Sequence, residues 1–444
     1  MRDITYLNLD LSLEQADEGY RTRVLSSPAG QASGGFLLPF SQEELDAFVA
    51  ALGDVQAPDQ GLAEMRRFGE ALFRAVFPED VEGIFRRSLD RAQHQESGLR
   101  IRLHLTQAPE LTAVPWEVLY DPDSQRFLAL TYETPIVRYL ELPVAEEPLA
   151  VTPPLHVLAI VSDPSDLPRL DTHQERLRIS QALAELAEQG LVAVDWVEKA
   201  TLAELQRKLR RNRYHIAHFI GHGVFDEERQ EGMLAFEDEQ GRSHLVSART
   251  LAILLRDHRT LRLAVLNACE GARAAAHDPF SGAAQRLVQQ DIPAAMAMQV
   301  QIPDLAAVTF ARELYAALAD ACPVDAALTE ARKAIYFAGF QRAWAIPVLY
   351  THAPDGRIFR PPASSNPGEV ASMAPGSAGG ASGGVHIDIA GGGGVIRDSS
   401  IRIGDVAGGY IQKGGEGGEA DDEEADPSGP SGASADLPGE DASQ

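Results

Sequence analysis

Short apolar runs alternate with longer amphipathic stretches between residues 154 and 360. The short runs are rich in strand-forming residues and bounded by turn residues, whereas the longer stretches repeat apolar residues at helical spacing. The runs predict strands at 155–161, 191–197, 214–220, 261–266, 294–300 and 344–349, and a hairpin at 233–236 and 243–246. The stretches predict helices at 172–189, 201–211, 247–258, 280–290, 304–320 and 324–338. This alternation predicts an α/β fold, a mainly parallel sheet with helices on both faces.

Residues 1–145 predict a smaller α+β unit ahead of this core. Residues 4–11 alternate apolar and polar positions as a half-buried strand does. Further helices are expected at 42–52, 61–77 and 80–92, and further strands at 100–105 and 136–140. A segment with three prolines and two glutamates, residues 144–154, is typical of a boundary. We expect this first unit to be accessory or regulatory to the second, at 154–360.

Residues 361–444 form a third segment of different composition, rich in Gly, Ser, Ala and Pro and acidic at its end. Such a composition cannot bury enough apolar surface to fold. Short alternating runs interrupt it at 385–411. These runs are consistent with assembly, either by strand pairing between copies or by pairing with a partner's sheet edge. The simpler alternative is an isolated hairpin or an inert linker.

Composition and charge narrow the class of protein. The 444 residues are 44% hydrophobic, enough for a sizeable core, and the net charge of −26 argues against nucleic acid as a partner. Because neither an apolar leader nor a membrane-spanning run is visible, we expect a cytoplasmic protein. Two cysteines, Cys269 and Cys322, give no disulfide framework. No His, Cys and carboxylate cluster has metal-ligand spacing, so neither a metal nor another cofactor is expected.

Two motifs each close a predicted strand, Gly221-His222-Gly223 and Asn267-Ala268-Cys269-Glu270-Gly271. Reactive groups of α/β sheets collect beyond the carboxyl ends of the strands. If the two strands are neighbours, about 4.8 Å apart, the imidazole and the thiol come within reach. An imidazole lowers the pKa of a thiol and gives a nucleophilic thiolate. The backbone N–H groups of Gly223 and Cys269 would then face a developing oxyanion.

Each motif also has a simpler interpretation. A cysteine after a strand is more often a small buried hydrophobic residue than a nucleophile, and a Gly-His-Gly sequence is often only a turn. Their joint occurrence at strand ends, with the histidine about 50 residues upstream of the cysteine as in caspases, favours catalysis.

Around these motifs the chain resembles the CHAT family of caspase-like cysteine peptidases, relatives of caspases and separase. The resemblance covers roughly residues 60–352 and includes the segments 115–121, 127–130, 135–140, 155–161, 200–202 and 344–349, and the helix with Glu175. It implies a caspase-like fold and peptide-bond hydrolysis through a thioester acyl-enzyme, with His222 as base and Cys269 as nucleophile. Family analogy further implies a bacterial-style defence or signalling pathway.

Substrate selection is expected near the dyad. The chain departs from the family at 272–277 and 299–304, which affects the S1 pocket rather than the dyad. Asp304 could face a basic P1 side chain, as an acidic residue does in separase-like members, or merely cap the following helix. Asp163 is the other S1 candidate.

An unregulated protease would damage the cell that makes it. We therefore expect a protein activator, or self-assembly through the tail, to control the cleavage of protein substrates. A non-catalytic assembly scaffold built on the same domain, or acyl transfer to an acceptor other than water, are alternative functions.

Overall fold

The computed structural model describes residues 4–54, 58–143, 147–226, 228, 231–268 and 279–362. The tail with its short runs at 385–411 lies outside the described residues, as does Cys269. The predictions made for them therefore stay predictions.

The strands and helices follow one another along the described chain. The strands are β1 (Tyr6–Gln15), β2 (Tyr20–Ser26), β3 (Ser33–Phe36), β4 (Gly98–His104), β5 (Tyr120–Asp121), β6 (Arg126–Phe127), β7 (Ile136–Tyr139), β8 (Leu149–Ala150), β9 (Leu155–Val161), β10 (Val192–Trp196), β11 (Ile216–Gly221), β12 (Gly223–Asp226), β13 (Glu231–Glu237), β14 (Ser243–Ser247), β15 (Leu263–Ala268), β16 (Ala294–Met298), β17 (Pro347–Thr351) and β18 (Phe359–Arg360). The helices are α1 (Gln42–Ala51), α2 (Pro58–Val76), α3 (Glu79–His94), α4 (Thr172–Glu188), α5 (Leu202–Arg211), α6 (Ala248–Leu255), α7 (Pro279–Gln289), α8 (Asp304–Ala319) and α9 (Val324–Phe337).

Eleven strands form one sheet in the order β10-β9-β11-β15-β16-β17-β7-β4-β1-β2-β3. Neighbours are parallel except at β16–β17, β1–β2 and β2–β3. The predicted fold class, a mainly parallel sheet with helices on both faces, is confirmed. Beside this sheet, β12, β13 and β14 form a smaller antiparallel one, which contains the predicted hairpin.

Successive residues of the central strands belong to two different hydrophobic clusters. In β11, Ile216 and Ile220 join the cluster that contains buried residues of α4, α8 and α9. Ala217 and Phe219 join the cluster with buried residues of α5, α6 and α7. Because side chains alternate across a strand, apolar residues on both faces of β11 are explained by helices covering both faces of the sheet.

Two sequence-based predictions about strands are wrong. The strand expected at 344–349 is Pro347–Thr351, because Ala343–Ala345 forms a 3-10 turn in which Trp344 is fully buried. The first strand is not half-buried: five consecutive residues of β1, 9–13, are buried, because β1 lies inside the sheet between β4 and β2. Its polar Asp10 is bound by Arg102 and by His104.

The sheet runs through both segments that the sequence separates at 144–154. β7 pairs in parallel with β17, with Arg138 opposite Tyr350 and Tyr139 opposite Thr351. β1 to β4 thus extend the sheet of the second segment. The division into an accessory unit and a peptidase unit stays a proposal from the sequence.

Across the ranges that the structure describes, none of the helices combines the length and the apolar character that a bilayer crossing requires.

Candidate active site

Strands β11 and β15 are parallel neighbours inside the sheet, the third and fourth strands in its order. Their residue pairs run from Ile216 opposite Leu263 to Gly221 opposite Ala268. His222 and Cys269 are the next residue after each of these last partners. The register therefore brings the two predicted strand ends side by side, at the carboxyl edge where α/β proteins place reactive groups. Since Cys269 lies outside the described residues, the dyad itself stays a prediction.

His222 is only 3% exposed, and its ring is held by a backbone carbonyl. Nε2 lies 2.8 Å from the carbonyl oxygen of Pro168. Because a carbonyl oxygen only accepts, Nε2 carries the hydrogen and donates it. In the neutral ring the lone pair is then on Nδ1, the nitrogen that can take a proton from a neighbouring group.

The backbone around His222 is fixed on both sides. The His222 carbonyl accepts the N–H of Ala235, 2.9 Å away. A side chain at Gly221 would place its Cβ 3.0 Å from Phe219 Cζ and 3.2 Å from Ser162 Cβ, so glycine fits best there. Gly223 is the first residue of β12 and lies opposite Leu234. Its contribution to an oxyanion site stays a prediction.

A cleft of about 350 Å³ opens beside the end of β15. Its walls come from the segment before α4, from α4, from Asn267 of β15 and from the beginning of α8. Pro168, whose carbonyl binds His222, lines the same cleft. The cleft is therefore lined by the residue that binds the imidazole and by Asn267 of the strand that leads to Cys269.

Three charged side chains of this cleft form one network. The Arg178 guanidinium is ion-paired with Glu175, three residues earlier on α4, and with Asp304 on α8. Burial raises the pKa of Glu175, an effect that Arg178 partly offsets. The Asp304 side chain is 55% exposed. With Arg169 and Asp171, which also line the cleft, its walls carry three carboxylates and two guanidinium groups. The excess of one carboxylate can accommodate a further cation.

The two S1 candidates occupy different surroundings. Asp304 lines the cleft. The alternative that it caps the following helix is wrong, because α8 begins at Asp304 itself, after Pro303, and makes no side-chain capping bond. The Asp163 side chain is 7% exposed and pairs with Arg169 at 3.0 Å. It also accepts the backbone N–H of Leu170 and is not among the residues lining the cleft, which favours a role in holding its own loop.

Sequence reasoning missed the Pro168 carbonyl and the Arg178 guanidinium. A backbone carbonyl leaves no signal in a sequence, and Arg178 is one of several charges on an ordinary amphipathic helix. Asn267 had a signal, since it is a polar residue within an apolar strand. Its Oδ1 is buried and has no hydrogen-bond partner in the described part of the chain, and Asn267 lines the cleft.

Within the described ranges, no three His, Cys, Asp or Glu side chains are arranged to hold a metal ion.

Several solved structures are similar to this chain. The Arg-specific cysteine proteinase gingipain R is 10% identical, with a TM-score of 0.38 over 72% of this chain and 75% of that one. Separase of Saccharomyces cerevisiae, in complex with securin, is 15% identical, with a TM-score of 0.32 over 57% of this chain and 15% of that one. The Drosophila initiator caspase Dronc is 10% identical, with a TM-score of 0.25 over 46% of this chain and 87% of that one. Likenesses this distant say nothing about the roles of individual residues.

No curated protein matches the chain. The model of the CHAT domain, in contrast, matches residues 66–350, well over half of the sequence and all of the described site. The resemblance seen in the motifs is thereby confirmed, and the chain belongs to the CHAT-domain family.

Proposed function

We propose that this protein is a cysteine endopeptidase with His222 as base and Cys269 as nucleophile. The observation that carries the proposal is the register of β11 and β15, whose last pair, Gly221 and Ala268, immediately precedes these two residues. Membership of the CHAT-domain family and the hydrogen bond between His222 and Pro168 support it.

The proposed reaction has two halves. Nδ1 of His222 takes the thiol proton, and the thiolate sulfur attacks the peptide carbonyl carbon. The N–H groups of Gly223 and Cys269 bind the resulting oxyanion, a contribution typically worth about 10²- to 10³-fold in rate per donor. The imidazolium then protonates the amine as the C–N bond breaks, leaving a thioester. Water, deprotonated by His222, attacks the thioester carbon and releases the acid and the thiol.

We further propose that the cleft is the S1 pocket and that Asp304 favours a P1 Arg or Lys. Asp304 is half-exposed within the cleft, so an incoming cation can reach it. Arg178 is bound to Asp304 in this structure, and a basic P1 side chain would have to share or replace that contact. Control by an activator or by self-assembly through the tail, a cytoplasmic location and a defence or signalling role stay expectations from the sequence.

The test uses the full chain and a peptide library with varied P1 residues, with cleavage read by mass spectrometry. The variants are Cys269→Ala and, as the matched control, Cys322→Ala, which removes the other cysteine, a buried one. We expect cleavage by the wild type and the control and none by Cys269→Ala. Equal cleavage by Cys269→Ala would overturn the proposal.

If no peptide is cleaved, labelling separates an inactive peptidase from a scaffold. A peptide bearing a thiol-reactive group is incubated with the full chain and with the His222→Asn variant. Labelling of Cys269 that depends on His222 supports a peptidase awaiting its activator. Labelling of Cys269 no faster than that of an unfolded control, and unchanged in His222→Asn, would support the non-catalytic alternative.

A further inference from the structure

The segment between β9 and α4, residues 162–171, presents the Pro168 carbonyl to His222. Pro168 itself is exposed, and its only described tie to the sheet edge is the bond from the imidazole. A carbonyl oxygen has no side chain to orient it, so its position depends on how the surrounding backbone is held. Two aspartates of the same segment, Asp163 and Asp166, hold it.

Asp163 closes the segment on itself. One carboxylate oxygen accepts the Leu170 N–H at 2.9 Å, and the other lies 3.0 Å from the Arg169 guanidinium. Both partners follow Pro168 directly in sequence. The Asp163 N–H in turn donates to Glu237 at the end of β13, 3.2 Å away. The side chain thus joins the beginning of the segment to the residues just beyond Pro168.

Asp166 ties the middle of the segment to the β13–β14 hairpin. Its two carboxylate oxygens accept the N–H of Ser243 at 2.7 Å and the hydroxyl of Ser243 at 2.8 Å. The neighbouring Ser165 N–H donates to the Gly241 carbonyl at 2.8 Å. The same small sheet also receives the His222 carbonyl, through the N–H of Ala235. The small sheet of β12, β13 and β14 therefore holds the backbone of His222 as well as the segment that carries the Pro168 carbonyl.

We propose that Asp163 and Asp166 are positioning residues that keep the Pro168 carbonyl on Nε2 of His222 and so select the ring tautomer with a free Nδ1. A neutral histidine otherwise carries its hydrogen on either nitrogen. Loss of one ordinary hydrogen bond changes such a balance by about fivefold. The consequence for catalysis rests on the proposed function, whereas the selection of the tautomer does not.

The structural readout is the state of the His222 ring. Full-length protein carrying ¹⁵N-histidine is studied by NMR at alkaline pH, where imidazoles are neutral, and the His222 signals are assigned by their loss in His222→Asn. We expect the wild type to show the hydrogen on Nε2. In Asp163→Ala and Asp166→Ala we expect a mixture of both tautomers. Asp163→Asn, whose amide oxygen can still accept the Leu170 N–H, should restore the wild-type signals.

The kinetic readout is the split between kcat and KM for a cleaved peptide. Because small misplacements of catalytic groups cost up to about 100-fold, we expect Asp163→Ala and Asp166→Ala to lower kcat by about ten- to 100-fold. KM should stay within about twofold. The matched control is Asp121→Ala: Asp121 is also buried, also accepts a nearby backbone N–H and also pairs with an arginine, but it lies in the β5–β6 hairpin. It should leave kcat and the His222 signals unchanged.

An unchanged ring state and an unchanged kcat in both alanine variants would overturn the inference. Asp166 is exposed, so its variant should fold even if Asp163→Ala does not. If the His222 tautomer responds as expected while Cys269→Ala leaves all activity intact, the positioning role stands and the proposed dyad fails. If Cys269→Ala abolishes activity while the His222 tautomer does not respond to the aspartate variants, the proposed dyad stands and the positioning role fails.

Discussion

Arg178 on α4 is ion-paired with Asp304, the first residue of α8, on the opposite wall of the cleft beside β15. The same guanidinium binds Glu175 on its own helix. One cation thus serves two carboxylates at the place where we expect a substrate side chain. A basic P1 residue would compete with Arg178 for Asp304, whereas a neutral one would leave the pair intact.

The first prediction follows from this pair. Asp304→Asn should lower kcat/KM for peptides with P1 Arg or Lys by about tenfold relative to peptides with a neutral P1, because a charged contact is lost. The measurement is the ratio of kcat/KM values for matched peptides. Glu313→Gln is the control, since Glu313 is an ion-paired carboxylate on the same helix. An equal effect of Asp304→Asn on every P1 residue would contradict the S1 assignment.

A second prediction concerns Gly69 in α2, which packs against the 3-10 turn at Trp116–Val118. An added Cβ would lie 2.0 Å from the Val118 carbonyl oxygen and 3.0 Å from Tyr120 Cβ. Although alanine favours helices, Gly69→Ala should therefore destabilise the protein by about 2 kcal/mol or more. Chemical denaturation of the full chain measures this.

Gly83 in α3 is the matched control. The nearest atom to its added Cβ is Nη1 of Arg87 at 3.2 Å, the far end of a flexible side chain. Gly83→Ala should leave stability unchanged or raise it by up to about 1 kcal/mol. Equal effects of the two substitutions would show that the contact of α2 with Val118 is not as close as described.

A third prediction concerns the buried pair of Glu117 and Arg138, 3.1 Å apart and almost fully enclosed. Arg138 also donates to the Thr112 and Val114 carbonyls and to the Tyr350 hydroxyl. Glu117→Ala should lower the free energy of unfolding by about 3 to 5 kcal/mol, because it leaves a buried charge without its partner.

The exposed pair of Glu70 and Arg74 provides the comparison. Glu70→Ala should change stability by less than about 1 kcal/mol, since solvent screens such pairs. A similarly small effect of Glu117→Ala would mean that water reaches Arg138 once the carboxylate is gone.

A fourth prediction concerns His218 in β11, whose Nδ1 shares a hydrogen bond of 2.8 Å with the Tyr315 hydroxyl. Its Nε2 has no hydrogen-bond partner among the residues that the structure describes. Burial lowers the pKa of His218 to about 4. The unfolded chain takes up this proton near pH 6.5. Between these values the unfolded state binds more protons, so stability falls as the pH drops from about 6.5 towards 4.

His218→Asn keeps a polar group that can hydrogen-bond with the Tyr315 hydroxyl, and it removes the titration. Its loss of stability between pH 7 and 4.5 should be smaller than that of the wild type by about 2 kcal/mol. Urea unfolding at several pH values measures the slope. Some slope should persist, because burial and the nearby His156 also lower the pKa of His215 to about 4. An identical slope in wild type and variant would contradict this account of His218.

The alternation of apolar strands and amphipathic helices was sufficient to predict the core of the fold. Residues 216, 217, 219 and 220 of β11 are apolar because both faces of the strand are covered, and such a run is visible in a sequence. β2 and β3 were missed because their residues alternate with charges and glycines, as loops also do. The sequence predicts a strand at Trp344, whereas the structure has a 3-10 turn there, because a buried aromatic residue fits either one.

The site was predictable where it depends on residue type and position after a strand. The predicted strands end at 220 and 266, and the structure extends them to Gly221 and Ala268, directly before His222 and Cys269. What the sequence could not provide is the support from elsewhere in the chain. The bond from His222 to the Pro168 carbonyl joins residues far apart in sequence, and a carbonyl is common to every residue type.

The pairing of β7 with β17 decides which piece of this chain can be produced alone. A fragment beginning at residue 154 would keep β17 and lose β7. The backbone N–H and C=O groups of β17 on that side would then lack their hydrogen-bond partners. Another molecule can add a strand to such an edge, and the usual outcome is aggregation. The Tyr350 hydroxyl would also lose Arg138. A shortened protein for biochemical work should therefore begin no later than Tyr6, even if only the segment after 154 is of interest.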